Sequence, residues 1–301
     1  MQPKIDIVYT WVNDNDSEFI KQLRQHATSE GENTAQRFRD IHNTLKYSLR
    51  SIEKYAPWIN KIHLVAQRPQ RPEWLNHEHP KIQLVYHDEF IPGEFLPTYN
   101  PRVIQSFFHL IPKSSDYLIY FNDDYLLGNE IIPDDFLSPK GRLKVYGSIM
   151  GIPLKFRVYA QRNQIKGLPR LEHSPFIIYK PYWVEMLNLK PTELDATRRS
   201  RFRDSNNLRM DRLYRYYLLS RERKNIDIVN AYQLLKISQF HRITDDFSEQ
   251  KSLIETIKKK TPKFLCLNDN QSESPNKETT QLMIEFLEEQ YPTPSSFEVQ
   301  N

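Results

Sequence analysis

Short apolar runs alternate with amphipathic stretches through the first 130 residues. Residues 5–12, IDIVYTWV, are β-rich and give way to the polar run NDND at 13–16, which predicts a first strand and an exit loop. Residues 17–32 carry a polar helical pattern that ends in small and charged residues, a surface excursion. A better helix opens at Arg37-Phe38-Arg39-Asp40. In it Leu45, Leu49 and Ile52 recur at spacings of four and three, so they form one apolar stripe, and Pro57 ends it. Strands are predicted at 61–65 (KIHLV) and 82–86 (IQLVY), a helix at about 101–110, and a buried strand at 117–121 (YLIYF). Strands alternating with helices argue for an α/β fold, a mainly parallel sheet with helices packed on its faces.

Beyond Pro133 the texture changes. A strand is predicted at 144–149, and residues 154–171 are irregular and basic, carrying Lys155, Arg157, Arg162, Lys166 and Arg170. That segment reads as a loop or cap over a site. Helices are expected at about 180–189, 208–219 and 247–260, the last stopped by Pro262. A short apolar strand at 263–267 runs into Asn268-Asp269-Asn270, and a helix at 278–291 closes the chain. The expected organisation is a single catalytic domain over 1–301, with a cap or helical insertion at about 151–245 and the strand and helix of 263–291 returning to the core.

Composition narrows the classes. At 301 residues the chain can bury a sizeable core. Its net charge of +4, with Lys and Arg widely spread, suits an enzyme acting on a phosphorylated or polyanionic substrate, and is also ordinary for a soluble protein. Nucleic acid is not expected, because the basic patch at 198–203 is short and no recognised binding motif surrounds it. The one cysteine, Cys266, excludes an internal disulfide and a multi-cysteine zinc site, which fits a reducing cytoplasm. No run of about 18 apolar residues is present and the first residues do not read as a secretory signal, so membrane contact is expected to be peripheral. Seven Gly stand against 20 Pro, and both GxGxxG and GxxxxGK[ST] are absent, so a nucleotide would be bound without those loops.

The chemistry concentrates at Asn122-Asp123-Asp124. Two adjacent carboxylates follow a buried strand and precede the apolar Tyr125-Leu126-Leu127. In open α/β sheets ligands bind outside the carboxyl ends of strands, and a hard cation carrying a diphosphate takes such oxygens. The competing reading is a solvated turn. Asn268-Asp269 repeats the design, and two strands delivering Asn-Asp to the same sheet edge would build one oxygen-rich site. After the first strand, either Trp11 stacks a ring and Asp14 or Asp16 meets a ribose hydroxyl, or the stretch is a core strand and a turn. Arg37, Arg50 and Asp40, near the start and flank of the second helix, either bind phosphate or pair with one another. Thr98, Asn100 and Arg102 front the helix at 101. His173, ahead of Pro175 and after the basic loop, is either structural or catalytic.

With both Asn-Asp elements in place, the chain resembles the Stealth family, the phosphotransferases of bacterial capsule synthesis, which also includes the catalytic part of the animal lysosomal-enzyme N-acetylglucosamine-1-phosphotransferase. Four ordered stretches carry the resemblance: IDIVYTWVN at 5–13, RFRDIHNTLKYSLRSIEKYAPWINKIHLV at 37–65, LPTYNPRVIQSFFHLIP through YLIYFNDDYLLG at 96–128, and KFLCLNDN at 263–270, followed by YPTPSSFE at 291–298. The resemblance implies a Rossmann-like domain similar to glycosyltransferase type A. It implies transfer of a hexose-1-phosphate from a nucleotide diphosphosugar, such as UDP-GlcNAc, to a hydroxyl of an oligosaccharide or polysaccharide, with release of nucleoside monophosphate. Asp123 and Asp124 then look like the catalytic or metal-binding pair, His173 like the catalytic histidine and Arg203 like the phosphate-binding arginine. Mg²⁺ or Mn²⁺ is expected on Asp123, Asp124, Asn268 and Asp269, and His173 or Asp124 would serve as base. Substrate contacts are expected from Trp11, Asn13, Arg37, Asp40, Arg50, Asn100, His109 and Asn122. The enzyme would work in the cytoplasm, in peripheral association with a membrane-side capsule assembly. The long inserted modules of the animal enzyme are lacking, so protein acceptors are not expected. A metal-dependent glycosyltransferase, and a non-catalytic saccharide- or nucleotide-binding protein, are the alternatives.

Overall fold

The structure, a computed structural model, describes residues 3–27, 38–148 and 174–299. In chain order it contains β1 (Ile5–Thr10), α1 (Ser17–His26), α2 (Thr44–Tyr55), β2 (Ile62–Ala66), β3 (Ile82–Tyr86), α3 (Pro101–Ser106), β4 (Tyr117–Asn122), β5 (Tyr125–Leu127) and β6 (Leu143–Ser148). There follow β7 (Phe176–Tyr179), α4 (Lys180–Leu187), α5 (Pro191–Arg199), α6 (Met210–Ser220), β8 (Ile226–Asn230), α7 (Ala231–Ile237), β9 (Ser238–Ile243), α8 (Phe247–Lys260), β10 (Phe264–Asp269) and α9 (Lys277–Gln290).

β1 is the centre of the main sheet. It pairs in parallel with β2 on one side and β4 on the other, and its residues 5–9 are buried, as strands covered on both faces require. The strand order is β3-β2-β1-β4-β7, parallel except for β7, which runs antiparallel to β4. Reading outward from β1, the chain winds one way through β2 and β3 and the other way to β4. The β1/β4 junction is therefore the topological switch point, the crevice where open α/β sheets bind ligands.

Directly after Asn122 the chain leaves this sheet. Asp123 and Asp124 form a turn, and β5 joins a second sheet, β5-β10-β9. β10 runs antiparallel to β5, with Cys266 opposite Tyr125, so the end of β10 returns to the start of β5 and Leu267 N–H donates to the Asp124 carbonyl at 3.0 Å. The expectation of two Asn-Asp ends on one sheet edge is thus corrected: they sit on two sheets and meet through the β5–β10 pairing. Gly128 lets the following chain pass, since a Cβ there would lie 2.5 Å from the Pro262 carbonyl oxygen. α2 packs against this junction. Leu45, Leu49 and Ile52 are buried, and Ser48 bonds both the Tyr9 hydroxyl (2.6 Å) and the Tyr125 carbonyl.

Of the expected cap at 151–245, residues 151–173 lie outside the described residues. The remainder supplies β7 to the main sheet, β8 to a parallel pair with β6 and β9 to the β5-β10-β9 sheet, so it is woven into the fold. Arg50, expected near phosphate, instead clamps the tail: Nε and Nη2 donate to Glu298 at 2.8 and 2.7 Å, and Nη1 donates to the Tyr291 carbonyl at 2.8 Å.

At the opposite end of the sheet, fully buried Asp6 accepts from Asn60 Nδ2 (2.7 Å), His63 Nε2 (3.0 Å) and Ser115 N–H (2.7 Å). Burial alone would raise this carboxyl, but the bonds from His63, Asn60 and Ser115 outweigh it and hold it below its ordinary value. Asp6→Ala, which strands these donors, is expected to cost about 3 kcal/mol or more in urea denaturation. The carboxylate's contribution is complete above the unfolded value of about 3.9 and is lost as pH falls through the lower folded value. Asp6→Asn should accordingly show a smaller loss of stability below that pH than the parent.

Candidate active site

Three chain segments converge at the switch point. From β1, Trp11 sends its indole N–H to Asp40 Oδ2 at 3.1 Å, while Asp40 Oδ1 accepts the Thr44 N–H at 3.0 Å, which satisfies an end of α2 left open by Asn43 in the left-handed region. From β4, Asn122 accepts the Tyr120 hydroxyl and leads into Asp123 and Asp124. From β10, Asn268 Nδ2 donates to Asp124 Oδ2 at 3.1 Å, with Cys266 Sγ 3.4 Å from the same oxygen.

These segments line a cavity of about 480 Å³, with Trp11, Asp40, Asn122, Asp123, Asp124, Arg203, Asn268 and Asp269 in its wall. Its electrostatics are set by crowded carboxylates. Burial, then Asp124, then Asp40 push the Asp123 carboxyl well above its ordinary value. Burial raises Asp40 as well, against the bonds from Trp11 and Thr44, and Asp14 adds to the rise. Like charges held together in a poorly solvated site favour a bound proton or a cation.

Several expected site residues have other duties. Asn13 folds back, its Oδ1 accepting the Asn15 N–H at 2.9 Å. Asn100 is buried and works as a staple: its amide donates to the carbonyls of Ser200 (2.9 Å) and Phe202 (3.0 Å) and to Asn207 Oδ1 (2.7 Å). It therefore holds the loop that carries Phe202 and Arg203 to the cavity. His109 lies in the turn after α3 and does not line the cavity; burial, with Arg198 and Lys180 nearby, lowers it to about 4. Arg37 and His173 lie outside the described residues. Asp269, expected as a metal ligand, borders the cavity, and its carboxylate accepts from Arg39, with Nε–Oδ2 at 2.5 Å and Nη2–Oδ1 at 2.7 Å.

Two cavity residues escaped the sequence reading. Arg39 also donates to the Gln271 and Ser272 carbonyls, so its whole fork binds the end of β10. Its partner lies 230 residues along the chain, and no local pattern announces the pair. His42 is buried, borders the cavity, and has an Nε2 with no hydrogen-bond partner among the described residues. Burial lowers its ring to about 4, which makes it a neutral polar group at physiological pH.

Among the described residues no group of three or more His, Cys, Asp or Glu is gathered for an all-protein metal cage. Mg²⁺ is commonly held by one or two carboxylates together with substrate phosphates and water. The Asp123–Asp124 pair, with Asp123 carrying an unfavourable concentration of negative charge, fits that two-carboxylate mode.

Comparison with known proteins agrees with the motifs. Residues 3–26, 37–145 and 255–301 match Stealth protein conserved regions 1, 2 and 4. The chain belongs to the Stealth family. Among its relatives are the capsular polysaccharide phosphotransferase SacB of Neisseria meningitidis serogroup A, 31% identical over 98% of this chain and 57% of that protein, and the exopolysaccharide phosphotransferase CpsY of Mycobacterium leprae, 32% identical with the same coverage. The chain thus spans little more than half the length of these curated Stealth relatives. A solved galactosyltransferase, LgtC, is similar at a TM-score of 0.47 and 11% identity, over 97% of this chain and 96% of that one. His173 and Arg203 fall between the second and third of the matched Stealth regions.

The Arg39–Asp269 pair is nearly buried, with 5% and 19% of the side chains exposed, and is expected to lock the end of β10 to the segment before α2. A double-mutant cycle of Arg39→Ala and Asp269→Ala in urea denaturation should give a coupling of about 1.5 to 3 kcal/mol. Additive single costs would refute the lock.

Proposed function

We propose that the protein transfers a hexose-1-phosphate from a nucleotide diphosphosugar to a saccharide hydroxyl in the synthesis of a capsular or other surface polysaccharide. The observation that carries this reading is the Asp123–Asp124 pair at the β1/β4 switch point, with Arg203 in the wall of the same cavity. The phosphotransferase names of SacB and CpsY support it over other chemistry at this kind of site. The donor is a UDP-sugar of the N-acetylhexosamine type and the acceptor an oligosaccharide or polysaccharide. The reaction takes place in the cytoplasm, at the inner face of the membrane. No helix among the described residues is long and apolar enough to cross a membrane.

The acceptor oxygen attacks the phosphorus that carries the hexose. The bond from that phosphorus to the bridging oxygen breaks, and nucleoside monophosphate leaves with the electron pair. Phosphoryl-type transfer of this kind asks the protein for positioning and charge stabilisation. Arg203 supplies a planar fork matched to phosphate oxygens. His173 or Asp124 takes the proton of the attacking hydroxyl, with Asp124 kept in place by Asn268. Trp11 and Asn122 border the space available to the nucleotide-sugar. Mg²⁺ or Mn²⁺ held by Asp123 and Asp124 would neutralise diphosphate charge and assist departure of the nucleotide.

The protein, incubated with Mg²⁺, a panel of nucleotide-sugars and oligosaccharide acceptors, should release nucleoside monophosphate together with a phosphodiester-linked product. Chromatography of the nucleotide decides between bonds, since nucleoside diphosphate would establish glycosyl transfer, and donor binding without consumption a binding protein. Asp124→Ala should lower turnover by ~10³-fold or more, with the thermal midpoint little changed. Chelation of divalent cations should stop the reaction, and added Mg²⁺ or Mn²⁺ should restore it.

A further inference from the structure

Carboxylates make up only part of the cavity wall. Gln67 and His87 directly follow the last paired residues of β2 and β3, Ala66 and Tyr86, and both line the cavity. Three aromatic rings line it as well. Tyr99 stacks on Phe202 with centroids 5.1 Å apart, and Phe19 of α1 meets Tyr99 edge-on at 5.7 Å. Gln67 Oε1, His87 Nδ1 and the Tyr99 hydroxyl are buried and have no hydrogen-bond partner of good geometry among the described residues. Such atoms are few in a folded protein, and leaving one unmet costs about 1–3 kcal/mol. Their presence in the wall of one cavity points to partners that a ligand brings.

The direction of the Gln67 amide is fixed by a chain of bonds that starts outside the cavity. The Glu18 carboxylate accepts from Gln22 Nε2 at 3.1 Å, which turns Gln22 Oε1 to accept from Gln67 Nε2 at 2.9 Å. The atom of Gln67 left without a partner is therefore its oxygen, an acceptor only. The Tyr99 hydroxyl stands close to the same amide, and burial raises it, so it stays an O–H that can donate. An acceptor beside a donor, next to aromatic rings, suits the edge of a planar heterocycle that carries an N–H next to a carbonyl. Strand β1 lies between β2 and β4, so the strand ends that lead to Gln67 and to Asp123 are two strand spacings apart, ~10 Å. That is the reach of a nucleoside from base edge to phosphate. An acetamido N–H on the hexose sits on the ring carbon next to the one bonded to phosphate, too near the phosphorus to span it.

Resting on the UDP-sugar donor proposed above, we infer that Gln67 is the residue that reads the nucleobase: its Oε1 accepts the imide N3–H of uracil, and the Tyr99 hydroxyl donates to a carbonyl beside that N–H. Glu18 and Gln22 are positioning residues. Neither borders the cavity, and together they keep the Gln67 oxygen, rather than its NH₂, turned to the base. A base with a methyl group in place of the N3 hydrogen leaves the Gln67 oxygen buried and unmet.

The test is calorimetry without acceptor, with Mg²⁺ present, comparing UDP with N3-methyl-UDP. The parent should bind UDP about tenfold or more tightly, the cost of one unmet buried acceptor. Gln67→Met keeps the length of the side chain and removes both polar atoms; it should lose that preference by weakening UDP alone, with the thermal midpoint little changed. Gln22→Met frees the Gln67 amide to turn over and should narrow the preference, which a merely structural role would not do. Equal binding of UDP and N3-methyl-UDP by the parent overturns the inference, as does a preference that survives Gln67→Met. A loss in Gln67→Met that is confined to UDP-GlcNAc and spares UDP-glucose and UDP also overturns it, since the N–H read would then be the acetamido group. Should the parent bind ADP, CDP or GDP in place of UDP, and Gln67→Met weaken that nucleotide, the proposed donor fails and the base-reading role of Gln67 stands. Binding of none of the four overturns both.

Discussion

The parallel pairing of β1 with β4 is the constraint on which the rest depends. It sets the strand order that reverses at β1, opens the crevice there, and brings Trp11 and Asn122 to the same end of the sheet. Because β4 leaves its sheet directly after Asn122, Asp123 and Asp124 must turn at the crevice mouth rather than continue along a strand. The β5–β10 ladder then carries Asn268 and Asp269 back to that turn from the far end of the chain. A change that weakens either pairing moves all the carboxylates together, so the site and the fold are not separable at this junction.

The carboxylates are arranged unequally, and the inequality is what gives the site its chemistry. Asp269 is neutralised by the Arg39 fork, Asp124 is held by an amide, and Asp40 is bonded to Trp11 and Thr44. Among the described residues Asp123 gains no comparable partner from a cation, and it takes up the accumulated repulsion. A group whose charged form is disfavoured this way is suited to receive a proton or to meet a cation, whereas its neighbours are suited to stay fixed. Adjacent acidic residues in one turn thus acquire different roles from surroundings supplied by α2 and β10.

Much of this was legible in the chain because it is local. The strands at Ile5, Ile62, Ile82 and Tyr117, and the stripe of Leu45, Leu49 and Ile52, follow from periodicity, and the acidic turn after a buried strand stands out by contrast. β7 was not foreseen: FIIY is only four residues long, sits between Pro175 and Lys180-Pro181, and gains its place from antiparallel pairing with β4. Arg50 shows the same limit in the site. Its position on α2 is readable, but its choice of Glu298 and the Tyr291 carbonyl over a phosphate depends on where the tail returns. Asp269 looked like a twin of Asp123 because the two motifs match in order of residues; Arg39, remote in sequence, makes them different.

Asn100 explains why a residue that touches no substrate can still be decisive for one. It sits at the start of α3, next to Pro101, so its Oδ1 caps that helix by accepting the Arg102 N–H at 3.1 Å while its Nδ2 faces the loop after α5. Each of the carbonyls it satisfies is in a half-buried setting, where a donor is needed, which makes the loop's position a matter of hydrogen-bond accounting as well as of packing. That accounting fixes Arg203 at the cavity from one side and joins it to Arg102 on the other. Guanidinium groups discriminate among phosphates by geometry, and geometry survives only if the backbone bearing them does not drift. The position of this loop is therefore set by the buried Asn100 amide together with the Tyr99 N–H and the Arg102 guanidinium, which hold its other carbonyls.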